Sequence, residues 1–330
     1  MSYLKLNIPF DESQKLFIVQ FVVMTSRRRV YYALFFGLVL FVFITLCFNI
    51  NEVEKSRAKS SLQHNSDPLY DKIRILCLIP YHYQIPKTPK YVKRTWGKHC
   101  NVLLFVSGDV DDELEPYVPV INSTDKWTLV QQGLMHAYAF YADKVDWFLR
   151  VEPSSFVVVE NLRYMIERRN YLPSQPIYFG YELENTVTHE PFAYYDSGYV
   201  MSREAVRRFT IGSKDPENKE CQHWKGYAEG LDIHRCMSYG NVTIVESRDE
   251  LGNETFLPVT MHHQFLTGYK HIPWLRNLTY HKVSEETIPI SQRAIAFRVE
   301  YPPEMYDYYY FVYISRIFGN PLQNSIHFRP

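Results

Sequence analysis

The chain has 330 residues, 46% of them hydrophobic, and sets 36 basic side chains against 36 acidic ones. That length suits one large domain or two small ones with appendages, and the apolar share is ample for a core. The balanced charge lacks the basic excess of a nucleic-acid-binding chain, so no nucleic-acid partner is expected.

In chain order, residues 1–29 read as a cytoplasmic tail and residues 30–48 (VYYALFFGLVLFVFITLCF) as a signal anchor. The run is uncharged and just long enough to span a bilayer as a helix. Arg27, Arg28 and Arg29 stand immediately before it. Cations stay on the cytosolic side, so the rest of the chain is expected in a lumen, as in a single-pass type II membrane protein. A cleaved signal peptide fits less well, because the run is too long and lacks a small-residue cleavage site. Residues 49–72 are polar and aperiodic and read as a stem. The globular part is expected over 73–330.

IRILCLIP, 73–80, is an apolar run ended by proline, hence a buried strand. Thr88-Pro89 opens a helix with Thr88 as its cap. NVLLFVSG, 101–108, predicts a second strand, and Asp125 caps a helix running to Tyr141. VDWFLRV, 145–151, predicts a third strand, followed by a helix over 160–169. PIYFGYE, 176–182, predicts a fourth strand. Ser202 caps a helix stopped by Gly212, a further helix covers 228–237, and NVTIVES, 241–247, follows as a strand. Pro302-Pro303 opens an aromatic segment, 304–318, expected as a helix stopped by Gly319. This alternation predicts an open α/β sheet, largely parallel and flanked by helices. Such sheets bind ligands at the carboxyl ends of their strands. The break after Arg150-Val151 is where a site should sit.

A luminal location predicts glycosylation and disulfides. Sequons occur at Asn122, Asn241, Asn253 and Asn277, all after the anchor. Of five cysteines, Cys47 lies in the anchor; the even remainder, Cys77, Cys100, Cys221 and Cys236, fits two disulfides. Spacing favours Cys77–Cys100 with Cys221–Cys236, although three pairings are open. No CxxC or His-rich pair suggests zinc.

The strings RILC, TWGKHC, VDWFLRVEPSSFVVVENLRYMI, PIYFGYE, SGYVMSREAVRRF, RCMSYGNV and ESRDELGNETFLPV occur in that order. Together, over about residues 73–318, they resemble the core 1 β1,3-galactosyltransferases of glycosyltransferase family 31. The resemblance implies a GT-A-like fold behind a transmembrane anchor and a Golgi (or ER) membrane location. It also implies UDP-galactose as donor, Mn²⁺ as cofactor, and O-linked N-acetylgalactosamine on a glycoprotein as acceptor. The family has cysteines at the four luminal positions.

Departures from the family fall on the chemistry. Its three metal-binding aspartates become Glu152, Pro153 and Ser154, although a metal on a diphosphate needs hard anionic oxygens. Glu152, Ser154 and Arg150 are the candidate donor-side residues, with Glu152 the one remaining candidate metal ligand. The family's Glu-Asp pair, whose acid serves as base on the acceptor hydroxyl, reads Glu229-Gly230; Glu229 and Asp232 are the candidate bases. The family's metal-side histidine is Leu257, and His262 and His263 match a pair the family already has. A Gly-rich approach has become Tyr195-Asp196, so Asp196, Gly198 and Tyr199 are the candidate acceptor-side residues. The family's later adjacent cysteines are Pro289-Ile290.

Without a metal, Arg150, Lys225 or Arg235 would have to meet the leaving-group charge. A relative in this family, a chaperone for the galactosyltransferase, also lacks the aspartates. Two roles follow as expectations: transfer of galactose to O-linked N-acetylgalactosamine, or a silent chaperone or partner subunit of a paralogous galactosyltransferase. The second would use exposed aromatics over 306–312 as an interface. Sugar binding in the old acceptor cleft is a third, weaker one.

Overall fold

The central strand, β1 (Ile75–Pro80), is buried along its whole length. Ile75, Cys77 and Ile79 enter one hydrophobic cluster, while Leu76 and Leu78 enter another. A continuous apolar run is what a strand covered on both faces requires, since side chains alternate between faces. The computed structural model describes Thr45 and residues 67–81, 88–108, 112–120, 125–223, 229–266, 272–282 and 289–315. The compact unit holding these elements begins at Asp67. Among the described residues no helix is long and apolar enough to cross a membrane. Of the expected anchor, 30–48, only Thr45 is described.

After β1 come α1 (Thr88–Arg94), β2 (Val102–Ser107), β3 (Tyr117–Pro119), α2 (Lys126–Tyr141) and β4 (Trp147–Arg150). Next are β5 (Ser155–Val157), α3 (Val159–Arg169), β6 (Ile177–Gly180), the hairpin β7 (Glu182–Glu184) with β8 (Pro191–Ala193), and β9 (Tyr199–Ser202). The chain continues through α4 (Arg203–Lys214), α5 (Glu229–Tyr239), β10 (Thr243–Ile244), β11 (Phe256–Thr260) and α6 (Met261–Leu266). It closes with α7 (Pro273–Leu278), β12 (Ala296–Arg298) and α8 (Glu304–Tyr309), which runs on as a π-helix, Tyr310–Ile314.

The main sheet has seven strands in the order β10-β6-β9-β4-β1-β2-β3. All its pairings are parallel except those of β9, which runs antiparallel to both β4 and β6. The expected α/β architecture with a largely parallel sheet is therefore present, with one inverted strand at its centre. Helices α2, α4 and α5 cover one face through Leu134, Phe209 and Met237. Helix α3 covers the other with a second sheet, β11-β12-β5, through Ile166, Phe156 and Phe297.

Local signals account for most boundaries. Asp125 caps α2, its carboxylate accepting from the Thr128 amide at 2.9 Å. Ser202 caps α4 through the Ala205 amide. Thr88 is the first residue of α1 rather than its cap, and α5 runs on to Tyr239. Gly212 does not stop α4, which continues to Lys214. A Cβ at Gly212 would lie 2.8 Å from the Cys221 sulfur, so this glycine admits a disulfide against the helix. Both disulfides favoured by spacing are formed, Cys77–Cys100 and Cys221–Cys236.

Cys221–Cys236 ties α5 to the turn after α4, so it fixes the helix that carries Glu229. Replacing both cysteines by serine is expected to lower the unfolding free energy by about 2–4 kcal/mol. Urea denaturation under oxidising conditions measures this. An unchanged midpoint would show that packing alone holds α5.

Candidate functional site

The carboxyl end of β4 is flanked by β1 and β9, and its last residue is Arg150. The chain then turns through Val151, Glu152, Pro153 and Ser154 into β5. Gly198 permits this crossing: its φ is +84°, and a Cβ there would lie 2.4 Å from Val151. Arg150 is 0% exposed. Its guanidinium donates to Glu152 Oε1 at 2.6 Å, to the Tyr195 carbonyl at 2.8 Å and to Glu229 Oε2. The rings of Tyr195 and Tyr199 lie within 6 Å of it.

The two carboxylates are committed. Glu152 Oε1 also accepts from Lys126 Nζ at 3.1 Å, the first residue of α2. Glu229 Oε1 accepts from the Tyr199 hydroxyl at 2.8 Å. Two cations thus meet two carboxylates, and with both acids ionised the cluster carries no charge surplus. Burial favours a protonated Glu152, but Arg150 and Lys126 together outweigh it and hold the carboxyl below its usual range. Burial dominates at Glu229; opposed by Arg150 and reinforced by Glu152, it pushes that carboxyl up to about 7.

The residues expected to act together separate into distinct environments. Glu229 and Asp232 share one helix, yet Asp232 turns away, paired with His223 at 2.7 Å and Arg235 at 3.1 Å and fully buried. Arg235 is engaged there and with Glu220, away from Arg150's partners. Lys225 lies outside the described residues. A Cβ on Gly230 would come within 2.5 Å of the Ala193 carbonyl. An aspartate at that position would need β8 to move. Glu229 has the affinity for protons that a base requires, but at 5% exposure it lacks access to an acceptor.

The expected Mn²⁺ does not fit the end of β4. A divalent ion bound by Glu152 would face the Arg150 guanidinium and the Lys126 ammonium on the same oxygen. Ser154 offers a neutral hydroxyl, Pro153 offers no ligand, and Leu257 is fully buried apolar packing.

Beside this cluster opens a cleft of about 550 Å³, lined in part by Tyr194, Asp196, His263, Trp274, Arg298 and Glu300. The Trp274 ring is 42% exposed and lies 5.6 Å from Tyr194. Asp196 accepts from Arg298 at 2.8 Å. Aromatic walls with a few fixed polar groups are the usual make-up of a small-ligand site. Of the candidate acceptor-side residues, Asp196 lines this cleft, whereas Gly198 and Tyr199 are buried beneath it. Sequence reasoning missed Lys126, Trp274 and Arg298. Only Lys126 carried a signal, as the neighbour of a helix cap at the ligand-binding edge of the sheet.

On the surface, Tyr306, Tyr310, Phe311, Val312 and Ile314 of the last helical segment are exposed, whereas Tyr308 and Tyr309 pack on the core. Asn241 and Asn277 are exposed; Asn253 is half-buried with its amide on Asp249, and Asn122 lies outside the described residues.

Over 264 residues the chain is 31% identical to the glycoprotein-N-acetylgalactosamine 3-β-galactosyltransferase 1 of Xenopus laevis, covering 77% of this chain and 70% of that one. No family model matches the chain. Among solved structures it is similar to a glycosyltransferase involved in glycosylation of the major capsid of PBCV-1, with 11% identity, 72% and 100% coverage and a TM-score of 0.38. It is also similar to the 4-diphosphocytidyl-2C-methyl-D-erythritol synthase of Anaerococcus prevotii, with 10% identity, 58% and 93% coverage and a TM-score of 0.37. Neither structural likeness bears on the chemistry.

Replacing Arg150 by methionine leaves Glu152 with Lys126 alone and the buried Glu229 with no cation, and is expected to cost about 3–5 kcal/mol of stability. Adding Glu229→Gln should recover part of that loss; additive losses in chemical denaturation would contradict the pairing. A second expectation concerns pH. The folded state retains the Glu229 proton that the unfolded chain releases near 4.5, so this group's contribution falls as pH rises from there to about 7. The Glu152 contribution runs the opposite way and is lost at lower pH, as pH falls through its depressed value. Stability measured from pH 5 to 8 should therefore decline less in Glu229→Gln than in the unaltered chain.

Proposed function

Because the chain belongs to the glycoprotein-N-acetylgalactosamine 3-β-galactosyltransferase family, we propose that it serves mucin-type O-glycosylation as a silent partner of an active galactosyltransferase. The observation that carries this reading is the guanidinium of Arg150, held between Glu152 and Glu229 where a member using a metal needs free carboxylates. The relative's name gives galactosyl transfer to N-acetylgalactosamine on a glycoprotein as the family chemistry. In this chain the donor would be UDP-galactose, and its departing diphosphate would meet a cluster whose charges are already neutralised. The acceptor hydroxyl would find no accessible base, because Glu229 and Asp232 are sealed and position 230 has no room for one. Leu257 removes the remaining ligand.

The scaffold is retained. A GT-A-like arrangement, held in the Golgi or ER lumen by residues 30–48, would present two surfaces to other molecules. One is the cleft beside Trp274, which suits a sugar of the glycoprotein acceptor. The other is the exposed face of Tyr306, Tyr310, Phe311, Val312 and Ile314, which suits a paralogous transferase.

The test is galactose transfer from UDP-galactose to a peptide bearing O-linked N-acetylgalactosamine, using the full chain with Mn²⁺. Transfer at the level of the blank is expected, together with a higher yield of an active family transferase when the two are co-expressed. Mn²⁺-dependent turnover that is lost in Glu152→Ala would overturn the reading.

A further inference from the structure

At the opposite flank of the same sheet edge, three segments converge beyond β6 and β10. The Ser247 hydroxyl donates to the Gly180 carbonyl at 2.7 Å, and the Thr255 hydroxyl donates to the Ser247 carbonyl at 2.6 Å. The Tyr280 amide donates to the Glu182 carbonyl at 3.1 Å. These ties bring together Glu182, Glu246, Glu254 and His281, each within two residues of an anchoring group. His281 Nε2 lies 3.4 Å from Glu182 Oε2 and 4.0 Å from Glu246 Oε1, and the three ligand atoms fall within 4.8 Å of one another.

Two further features are unexplained by packing. His281 Nε2 is enclosed and makes no hydrogen bond. Glu254 is only 4% exposed, and the charges acting on it are Arg248, Glu182, Glu246 and Asp249. Here carboxylates outnumber cations, in contrast to the neutral cluster at β4. Glu182, Glu246 and Glu254 face one guanidinium, Arg248, which grips Glu246 through two bonds of 2.8 Å and fixes its orientation.

The geometry points to a binding site for one divalent transition ion, held by Glu182, Glu246 and His281 with Glu254 behind them. A tetrahedral ion with bonds of about 2.0–2.2 Å sets its ligand atoms roughly 3.3–3.6 Å apart; the Glu182–His281 distance of 3.4 Å meets this, and Glu246, at 4.0 Å from His281, would have to close in on the ion. Mixed imidazole and carboxylate donors suit Zn²⁺ or Mn²⁺ better than Ca²⁺. Arg248 acts as the outer partner that orients a ligating carboxylate. The side chains of Glu246 and His281 are 34% and 23% exposed, which leaves the ion a way in from solvent. This site is separate from the end of β4 and stands whether or not the chain transfers sugar.

The test is equilibrium dialysis of the chelator-stripped full chain against Zn²⁺ and, separately, Mn²⁺, followed by metal quantification. About one ion per chain is expected, with thermal stabilisation on binding. Glu182→Gln and His281→Gln should each weaken binding at least about tenfold, whereas Glu152→Gln should bind like the unaltered chain. No retained ion would overturn the proposal and leave a histidine–carboxylate ion pair. So would retention indifferent to both variants, or retention lost in Glu152→Gln. Should either variant fail to fold, the stoichiometry of the unaltered chain and of Glu152→Gln decides.

Discussion

A guanidinium with no exposed surface must find carboxylates, and around Arg150 the requirement organises the whole end of β4. It draws Glu152 back from solvent, fixes Glu229 at the start of α5, takes the Tyr195 carbonyl and stands the Tyr195 and Tyr199 rings around it. Lys126 completes the neutralisation from the start of α2. By the family resemblance, metal-binding acids are expected at this strand end. Here the cation is a side chain of the protein, and it points inward.

That substitution makes the neighbouring departures mutually consistent. With the charge at the strand end met internally, Leu257 extends the core rather than offering a ligand. On α5, the carbonyl of Ala193 closes on Gly230 and leaves no room there for an acid. The cleft lined by Asp196 and Trp274 lies outside this knot and keeps its opening. The proposed loss of donor chemistry is therefore compatible with an open cleft in one fold.

Much of the fold was legible because its signals are local. Apolar runs gave β1, β2, β4 and β6, and side chains with cap chemistry gave the starts of α2 and α4. Strand β9 was not seen: YVMS is short, follows a tight turn at Tyr195–Ser197, and enters the sheet against the direction of its neighbours. Strands β5, β11 and β12 form only by pairing with one another across the chain. The expected strand at 241–247 shrank to Thr243–Ile244, because the following residues turn to serve the acidic group at Glu246. At the site, sequence located Arg150, Glu152 and Glu229 but not their association. The Arg150–Glu229 contact spans 79 residues, and burial, which decides whether a carboxylate is available, has no local signature.

The most direct measurement is calorimetry of UDP binding to the full chain with and without Mn²⁺, correcting for heat from the ion alone. A UDP affinity that Mn²⁺ does not alter, or no UDP binding in either condition, is the expected result, since Glu152 has no free charge to share with a bridging ion. UDP binding that appears only with Mn²⁺ and disappears in Glu152→Gln would contradict it, showing that the ion can displace Arg150 and Lys126 and that the donor site still works.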